Sequence, residues 1–467
     1  MRARRAVVAR CLACLCAALV SLCAACVLPP EQTRPSGDIF VATDGGGDAQ
    51  PSIATLEQLF TENVALSASE RSGAPAGYRV YDVTLTQPLD PDDTSAGTFE
   101  QRAALYVKTD AAASDPLVLI PSGYDLANAD RLDAITELLV AHQLVIEYRY
   151  NGASRPAGDA AFAHLRARAA AADVHAFVLA FKRYFVGRWI SVGRSRGGSV
   201  ALHHRAIYDG DVAGTVAVAT PDIDGAPDGR WVAALSSLGD AACRSRLQAL
   251  QRAMLSTRRA ELFALFTASQ PTGTTFVRIG GDKAAYEATV LDLSLSYWQS
   301  YGKYPCDGLP AVSASAATLY DLLISSVGDL ATDAQQDYYS AYFIIAHRED
   351  GYPQLPNAHL ADVLETTAPD LTRGTVPAGV DASYDGAFDK LVDDWIETKS
   401  HDIVFLRGEL DAWGAVRHPV APARRVVEYL VTGVGHSGVR VANLAPSDRD
   451  AVEKLLRGWV AADAQLP

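Results

Sequence analysis

Apolar and polar residues alternate from Tyr78 to Thr86, the period-two pattern of a strand buried on one face. A turn-rich stretch from Gln87 to Gly97 separates this run from Phe99 to Val107, which predicts a second strand. The pattern then changes to short, nearly continuous apolar runs. They are Leu117 to Ile120, Leu144 to Ile146, Trp189 to Val192, Thr215 to Ala219, Ile403 to Leu406 and Val426 to Val431. Runs of this kind suit parallel strands covered on both faces. Helical patterns lie between them, the longest over Ala157 to Phe185. Alternating strand and helix implies a mostly parallel, doubly wound α/β sheet.

The alternation breaks after Pro221. From about 222 to 380 the chain is rich in helix formers and aromatics, as in Cys243 to Leu265 and Ala284 to Ser300, and the strand pattern resumes only at Ile403. This predicts a core over 55–221 and 385–467, interrupted by a large helical cap insertion over 222–384. A separate helical domain is the alternative. Candidate catalytic residues fall on both sides of the break, which favours an insertion.

The chain of 467 residues is 49% hydrophobic and 21% charged, ordinary values for a protein with a full core. Its net charge of −14 argues against nucleic-acid partners, whose binding depends on Lys and Arg against phosphate. The N-terminus reads differently. Arg2, Arg4, Arg5 and Arg10 precede an apolar run from Cys11 to Ala25, the layout of an export signal over 1–25. Leu22-Cys23-Ala24-Ala25-Cys26 resembles a bacterial lipobox, with Cys23 where Leu is preferred. Cys26 is therefore a candidate lipidation site, and free secretion is the alternative; any membrane contact is expected only through that anchor. Residues 26–54 have the Pro- and Gly-rich composition of a flexible tether. Beyond the leader only Cys243 and Cys306 remain, which in an exported protein form either a disulfide or two buried thiols.

Gly193-Arg194-Ser195-Arg196-Gly197, followed by Gly198, matches G-x-S-x-G. It sits between the apolar run 189–192 and a plausible helix, Gly198 to Tyr208, the strand–turn–helix setting of a nucleophile elbow. A serine hydroxyl needs a base held by an oriented acid. In α/β-hydrolases the acid and then the histidine follow the serine in the chain. His436, in Gly433-Val434-Gly435-His436, follows the last predicted strand and is the candidate base. His418, followed by Pro419, reads as a surface loop histidine, and His401 lies at the wrong end of its strand. Asp411 and Glu409 both follow the run 403–406, at the strand end where active sites of such sheets collect. Asp411 is the preferred acid and Glu409 the reserve.

Two backbone N–H groups should hold the oxyanion. Arg196 is one candidate, and Gly123 or Tyr124, after the run 117–120, is the other. No metal or cofactor is expected, since no metal-ligand spacing is present in the body of the chain; His203 and His204 read as packing or surface residues.

Several stretches resemble the exported bacterial prolyl tri-/tetrapeptidyl aminopeptidases, serine peptidases related to lysosomal Pro-X carboxypeptidase. They are Gln87 to Asp90, Gly97 to Arg102, Glu147 to Pro156, the elbow with Gly197-Gly198, Asp173-Val174-His175, Cys243-Arg244 and Gly408 to Trp413. The likeness runs from about residue 75 to the C-terminus. It implies an α/β-hydrolase fold, a helical cap over the site, and a peptidase releasing short peptides from free N-termini, often after proline. It places nucleophile, acid and base on Ser195, Asp411 and His436, and implies that Cys243 and Cys306 are paired. Arg196 stands where the family usually has Lys, Pro91 where a His is common, and Pro221-Asp222 where a Pro-Asn pair is usual.

A peptidase of this kind takes oligopeptide substrates and must hold a cationic α-amino group, for which carboxylates are natural partners. Asp222, Asp224 and Asp228, where the chain enters the cap, are candidates against a reading as solvated loop acids. Trp231, Tyr297 and Trp298 are candidates to line a proline pocket, against a reading as cap core. An esterase with the same triad and a catalytically silent surface binding protein are the competing functional readings. Oligomeric state is not legible in the sequence.

Overall fold

A computed structural model describes residues 53–461 apart from 129, 302–304, 368–370, 373–375 and 377–379. The export signal, nearly all of the tether and Cys26 lie outside the described residues. Among the described residues nine strands form one sheet: β1 (Leu66–Arg71), β2 (Tyr78–Pro88), β3 (Thr98–Lys108), β4 (Leu117–Pro121), β5 (His142–Ile146), β6 (Trp189–Arg194), β7 (Thr215–Val218), β8 (Ile403–Gly408) and β9 (Val426–Val431). Their order is β1-β2-β3-β5-β4-β6-β7-β8-β9. The first three strands and the β3–β5 pair are antiparallel, and the remaining pairs are parallel.

Before β7 the α-helices are α1 (Leu56–Glu62), α2 (Ala134–Leu139), α3 (Ala167–Lys182) and α4 (Arg196–Ile207). Between β7 and β8 lie α5 (Arg230–Leu235), α6 (Ala241–Met254), α7 (Arg259–Ala268), α8 (Asp282–Gln299), α9 (Ala316–Val327), α10 (Asp333–Tyr338), α11 (Ser340–Ile345) and α12 (Ala387–Thr398). The chain closes with α13 (Pro446–Val460), whose proline at the first turn sacrifices no helical hydrogen bond.

Alternation along the parallel strands sends side chains to two covered faces. Leu117 and Leu119 of β4 pack with Val174, Phe177 and Phe181 of α3. Val118 between them joins Ile190, Val216 and Val404 against Val452 and Leu456 of α13 and Ile135 of α2. This double cover is why the strands read as unbroken apolar runs. The predicted helix over 157–185 forms only from Ala167, and the one over 243–265 divides into α6 and α7. Between β7 and β8, Leu247, Leu250, Leu293, Leu319 and Leu322 are buried together in a cluster that also takes in Ala412, after β8. Cys243 of α6 is bonded to Cys306, with Cα atoms 5.2 Å apart.

The stretch from Glu147 to Ser154 fixes the segment after β4. Leu126 N–H donates to Glu147 Oε1 (3.0 Å), while Ser154 N–H and Oγ–H donate to Oε2 (2.9 and 2.6 Å). Arg149, fully buried, grips Asp173 of α3 with two bonds of 2.7 and 2.8 Å. It also donates to the carbonyls of Pro88, Leu89 and His164. One guanidinium thereby ties the antiparallel edge of the sheet to α3.

Candidate active site

Ser195 joins β6 to α4 with φ 54° and ψ −131°, a left-handed backbone for a residue that carries a side chain. The turn closes only because its neighbours lack side chains. A Cβ on Gly193 would collide with the Gly197 carbonyl oxygen, and one on Gly198 would collide with Thr220 Oγ1. Such local strain is characteristic of a nucleophile set above a sheet.

His436 follows β9 and lines the same cavity as Ser195, about 1040 Å³ in volume. Its Nδ1 lies 3.0 and 3.1 Å from the two carboxylate oxygens of Asp411. Asp411 follows β8, is fully buried, and also accepts the Trp413 N–H (3.0 Å). Glu409 is exposed and accepts the Gly433 N–H (2.7 Å), so it braces the histidine loop and has no bond to the imidazole. The structure thus brings Asp411 and His436 together and leaves Glu409 outside.

The loop after β4 presses on the elbow. A Cβ on Gly123 would meet Gly197 N at 2.7 Å and Arg196 Cβ at 2.8 Å. The N–H of Tyr124 is already donated to Ser122 Oγ (3.0 Å). The buried Arg196 side chain donates from Nη1 to the Gly123 carbonyl (2.5 Å), and its guanidinium carbon lies 4.0 Å from the Tyr148 ring centroid. Elbow and loop are therefore held together by a charged side chain as well as by packing.

The candidate substrate residues divide. Asp222 lines the cavity, but its Oδ1 accepts from Arg230 Nη2 (2.8 Å). Asp228 is occupied by the Asp224 N–H (2.9 Å) and by the backbone and side chain of Arg230. It also belongs to a backbone pairing of 225–228 with 351–354. Asp228 accordingly shapes the chain. Trp231 and Trp298 do not line the cavity: both are buried in the core of the insertion, where Trp231 donates to the Asp222 carbonyl and Trp298 stacks on Tyr301. Tyr297 is buried beside them. The aromatics that do line the cavity are Tyr124, Tyr339, Tyr342, Phe343, Tyr352 and Trp413.

His418 is no surface residue. It is largely buried, stacked on Phe405, and reaches the cavity with Nδ1 3.6 Å from Asp222 Oδ2. His203 also reaches the cavity, whereas His204 is fully buried and bonded to Asp211 (2.8 Å). Burial holds all three imidazoles below their ordinary pKa. Sequence reasoning missed Asp350, Asp389 and Asp393, which line the cavity from a π turn over Ala346–Asp350 and from α12. A π turn often marks a functional position, but the sequence His347-Arg348-Glu349-Asp350 carries no sign of one.

The family described as PS-10 peptidase S37 matches residues 61–465. The chain is 31% identical over 395 residues to the prolyl tri/tetrapeptidyl aminopeptidase of Streptomyces mobaraensis, covering 83% of this chain and 82% of that protein. Among solved structures, the proline iminopeptidase of Mycobacterium smegmatis is similar at a TM-score of 0.41 and 15% identity, over 80% of this chain and 98% of that one. A 2-hydroxy-6-oxo-6-phenylhexa-2,4-dienoate hydrolase from Rhodococcus sp. strain RHA1 gives 0.35 and 11%, over 81% and 99%. With TM-scores below 0.5, neither structure bears on the assignment.

Proposed function

We propose, from the premise that this chain belongs to the peptidase S37 family and is a serine peptidase of the α/β-hydrolase fold, that it releases short peptides from free N-termini, with cleavage after proline, through an acyl-enzyme on Ser195. The observation that carries the reading is the His436 imidazole, bonded at Nδ1 to the buried Asp411 and lining the same cavity as Ser195. With Nδ1 committed as donor to the carboxylate, Nε2 is left to take the Ser195 proton. The alkoxide attacks the scissile carbonyl, and the oxyanion is received by the N–H groups of Arg196 and Gly123. Gly123 is preferred to Tyr124 because the Tyr124 N–H is already spent on Ser122. Collapse expels the amine with a proton from His436, and water, deprotonated by the same imidazole, releases the peptide acid.

The preference for proline and for three or four residues is drawn from the relative's name; the aromatic walls Tyr124, Tyr339 and Tyr342 suit an apolar ring. The arginine-led apolar run 1–25 supports export, with Cys26 lipidated or the protein secreted. A fluorophosphonate probe should label Ser195, found on its tryptic peptide by mass spectrometry, and Ser195→Ala should abolish both label and peptide turnover. A folded wild-type protein that takes no label would refute the proposal.

A further inference from the structure

The cavity wall carries a cluster of three groups, Asp350, Asp389 and His203, in which both carboxylates share an unusual property. Asp350 Oδ2 faces the Arg196 guanidinium at 3.6 Å, but its Oδ1 is buried without a hydrogen-bond partner. Asp389 Oδ1 faces His203 Nε2 at 3.6 Å, and its Oδ2 is likewise buried without one. Asp389 and His203 are 8% and 7% exposed, and all three residues line the cavity. Buried carboxylate oxygens left unpaired are costly, and an unpaired pair at a cavity wall points to a ligand that completes them. One acceptor atom from each residue lies within 4.8 Å of the other two. A tetrahedral ammonium with bonds of about 2.8 Å wants its acceptors about 4.6 Å apart. Its three N–H groups need three acceptors, and an uncharged imidazole supplies the third.

We propose that Asp350, Asp389 and His203 form the subsite that holds the substrate's α-ammonium group and thereby set how many residues are removed. This rests on the reading of the chain as a peptidase acting from free N-termini. His203 lies about two turns along α4 from Ser195, a rise of about 12 Å. An extended peptide covers about 3.3–3.6 Å per residue, so an ammonium anchored there places the third or fourth peptide bond at Ser195. The neighbouring acids fit a site that waits for a cation. Burial and then Asp350 push the Asp389 carboxyl up to about 10, with Asp393, Glu349 and Asp224 adding to the effect. His203 is the histidine against it, and Tyr384 also feels its charge. An arriving ammonium reverses that balance, so that Asp389 ionises and releases its proton to solvent. The second acidic group on the wall, Asp222 with Asp393 and His418, is less suited because Arg230 holds Asp222 by a hydrogen bond of 2.8 Å, whereas Arg196 stands off from Asp350 at 3.6 Å.

The test compares kcat/KM for an Ala-Ala-Pro anilide with a free N-terminus, the same anilide N-acetylated, and an N-acetylated Lys-Ala-Pro anilide. It is run on wild type, Asp389→Asn, Asp350→Asn and His203→Phe. The ratio of free to acetylated substrate is read within each protein, so a smaller folded fraction cancels. Wild type should prefer the free N-terminus, and each variant should lose roughly 10–100-fold of that ratio through KM, the size of a lost charge-assisted hydrogen bond. Wild type without the preference would sink the N-terminal reading itself. A preference that survives in all three variants would overturn the subsite alone. Restored turnover of the acetylated Lys substrate would assign the site to a side-chain ammonium, and loss of the preference on chelation would assign it to a bound cation; either would overturn the proposal.

Discussion

Replacing Asp411 by Asn exchanges one carboxylate oxygen for an NH₂ group and should disable the base. Asp411 Oδ1 accepts the Trp413 N–H at 3.0 Å and lies 3.0 Å from His436 Nδ1, while Oδ2 lies 3.1 Å from the same nitrogen. The introduced carboxamide keeps its oxygen on the Trp413 N–H, which directs its NH₂ group at the imidazole. A donor then faces Nδ1 at 3.1 Å beside the retained oxygen at 3.0 Å, which favours the tautomer with the proton on Nε2 over the one that keeps it on Nδ1. The favoured tautomer cannot accept the Ser195 proton. A loss of about 10⁴ in kcat is expected for a wrong tautomer in an intact triad, or about 5.4 kcal/mol in the barrier. The assay is kcat on a free tripeptidyl-prolyl anilide, with circular dichroism and urea unfolding to show that the fold is kept. Glu409→Gln, whose carboxamide oxygen can still accept the Gly433 N–H, should stay within a few-fold of wild type. Full activity in Asp411→Asn together with a dead Glu409→Gln would refute the reasoning.

Arg149→Met leaves Asp173 buried without its cation and should cost about 3–5 kcal/mol, read as a lower urea midpoint. Reducing the Cys243–Cys306 bond, which joins positions 63 residues apart, should cost about 2–4 kcal/mol by the same measurement, with Cys243→Ser unresponsive to reductant. Asp389 is held protonated in the folded chain and ionises in the unfolded one, so it weakens folding from about pH 4 upward, increasingly until about pH 10. Asp389→Asn should therefore raise the unfolding midpoint, and by more at pH 8 than at pH 5; an equal or falling gain would contradict that assignment.

The parallel strands were legible because both sheet faces are covered, which leaves no polar period to confuse the reading. β1 was not legible. Its burial alternates around a single deeply buried residue, Leu66, and it lies at the sheet edge, where pairing with β2 replaces apolar packing. The elbow, Asp411 and His436 were visible because each follows a strand directly, so local order determines their place. His418 was misread because Pro419 suggests an open loop, while the loop folds back until the imidazole stacks on Phe405. Trp231 and Trp298 show that aromatic content in a helical stretch does not distinguish a cavity wall from a core. Asp350, Asp389 and His203 come from a π turn, the start of α12 and the far part of α4. Only tertiary packing brings them together, and no spacing along the chain announces it.

The proposed mechanism stands or falls on amide chemistry at Ser195 with a free N-terminal substrate. The most direct measurement is release of aniline chromophore from a free Ala-Ala-Pro anilide by wild-type protein, set beside hydrolysis of a p-nitrophenyl ester. Steady turnover of the anilide, lost in Ser195→Ala, is the expected result. Ester hydrolysis with no turnover of any peptide amide would contradict it.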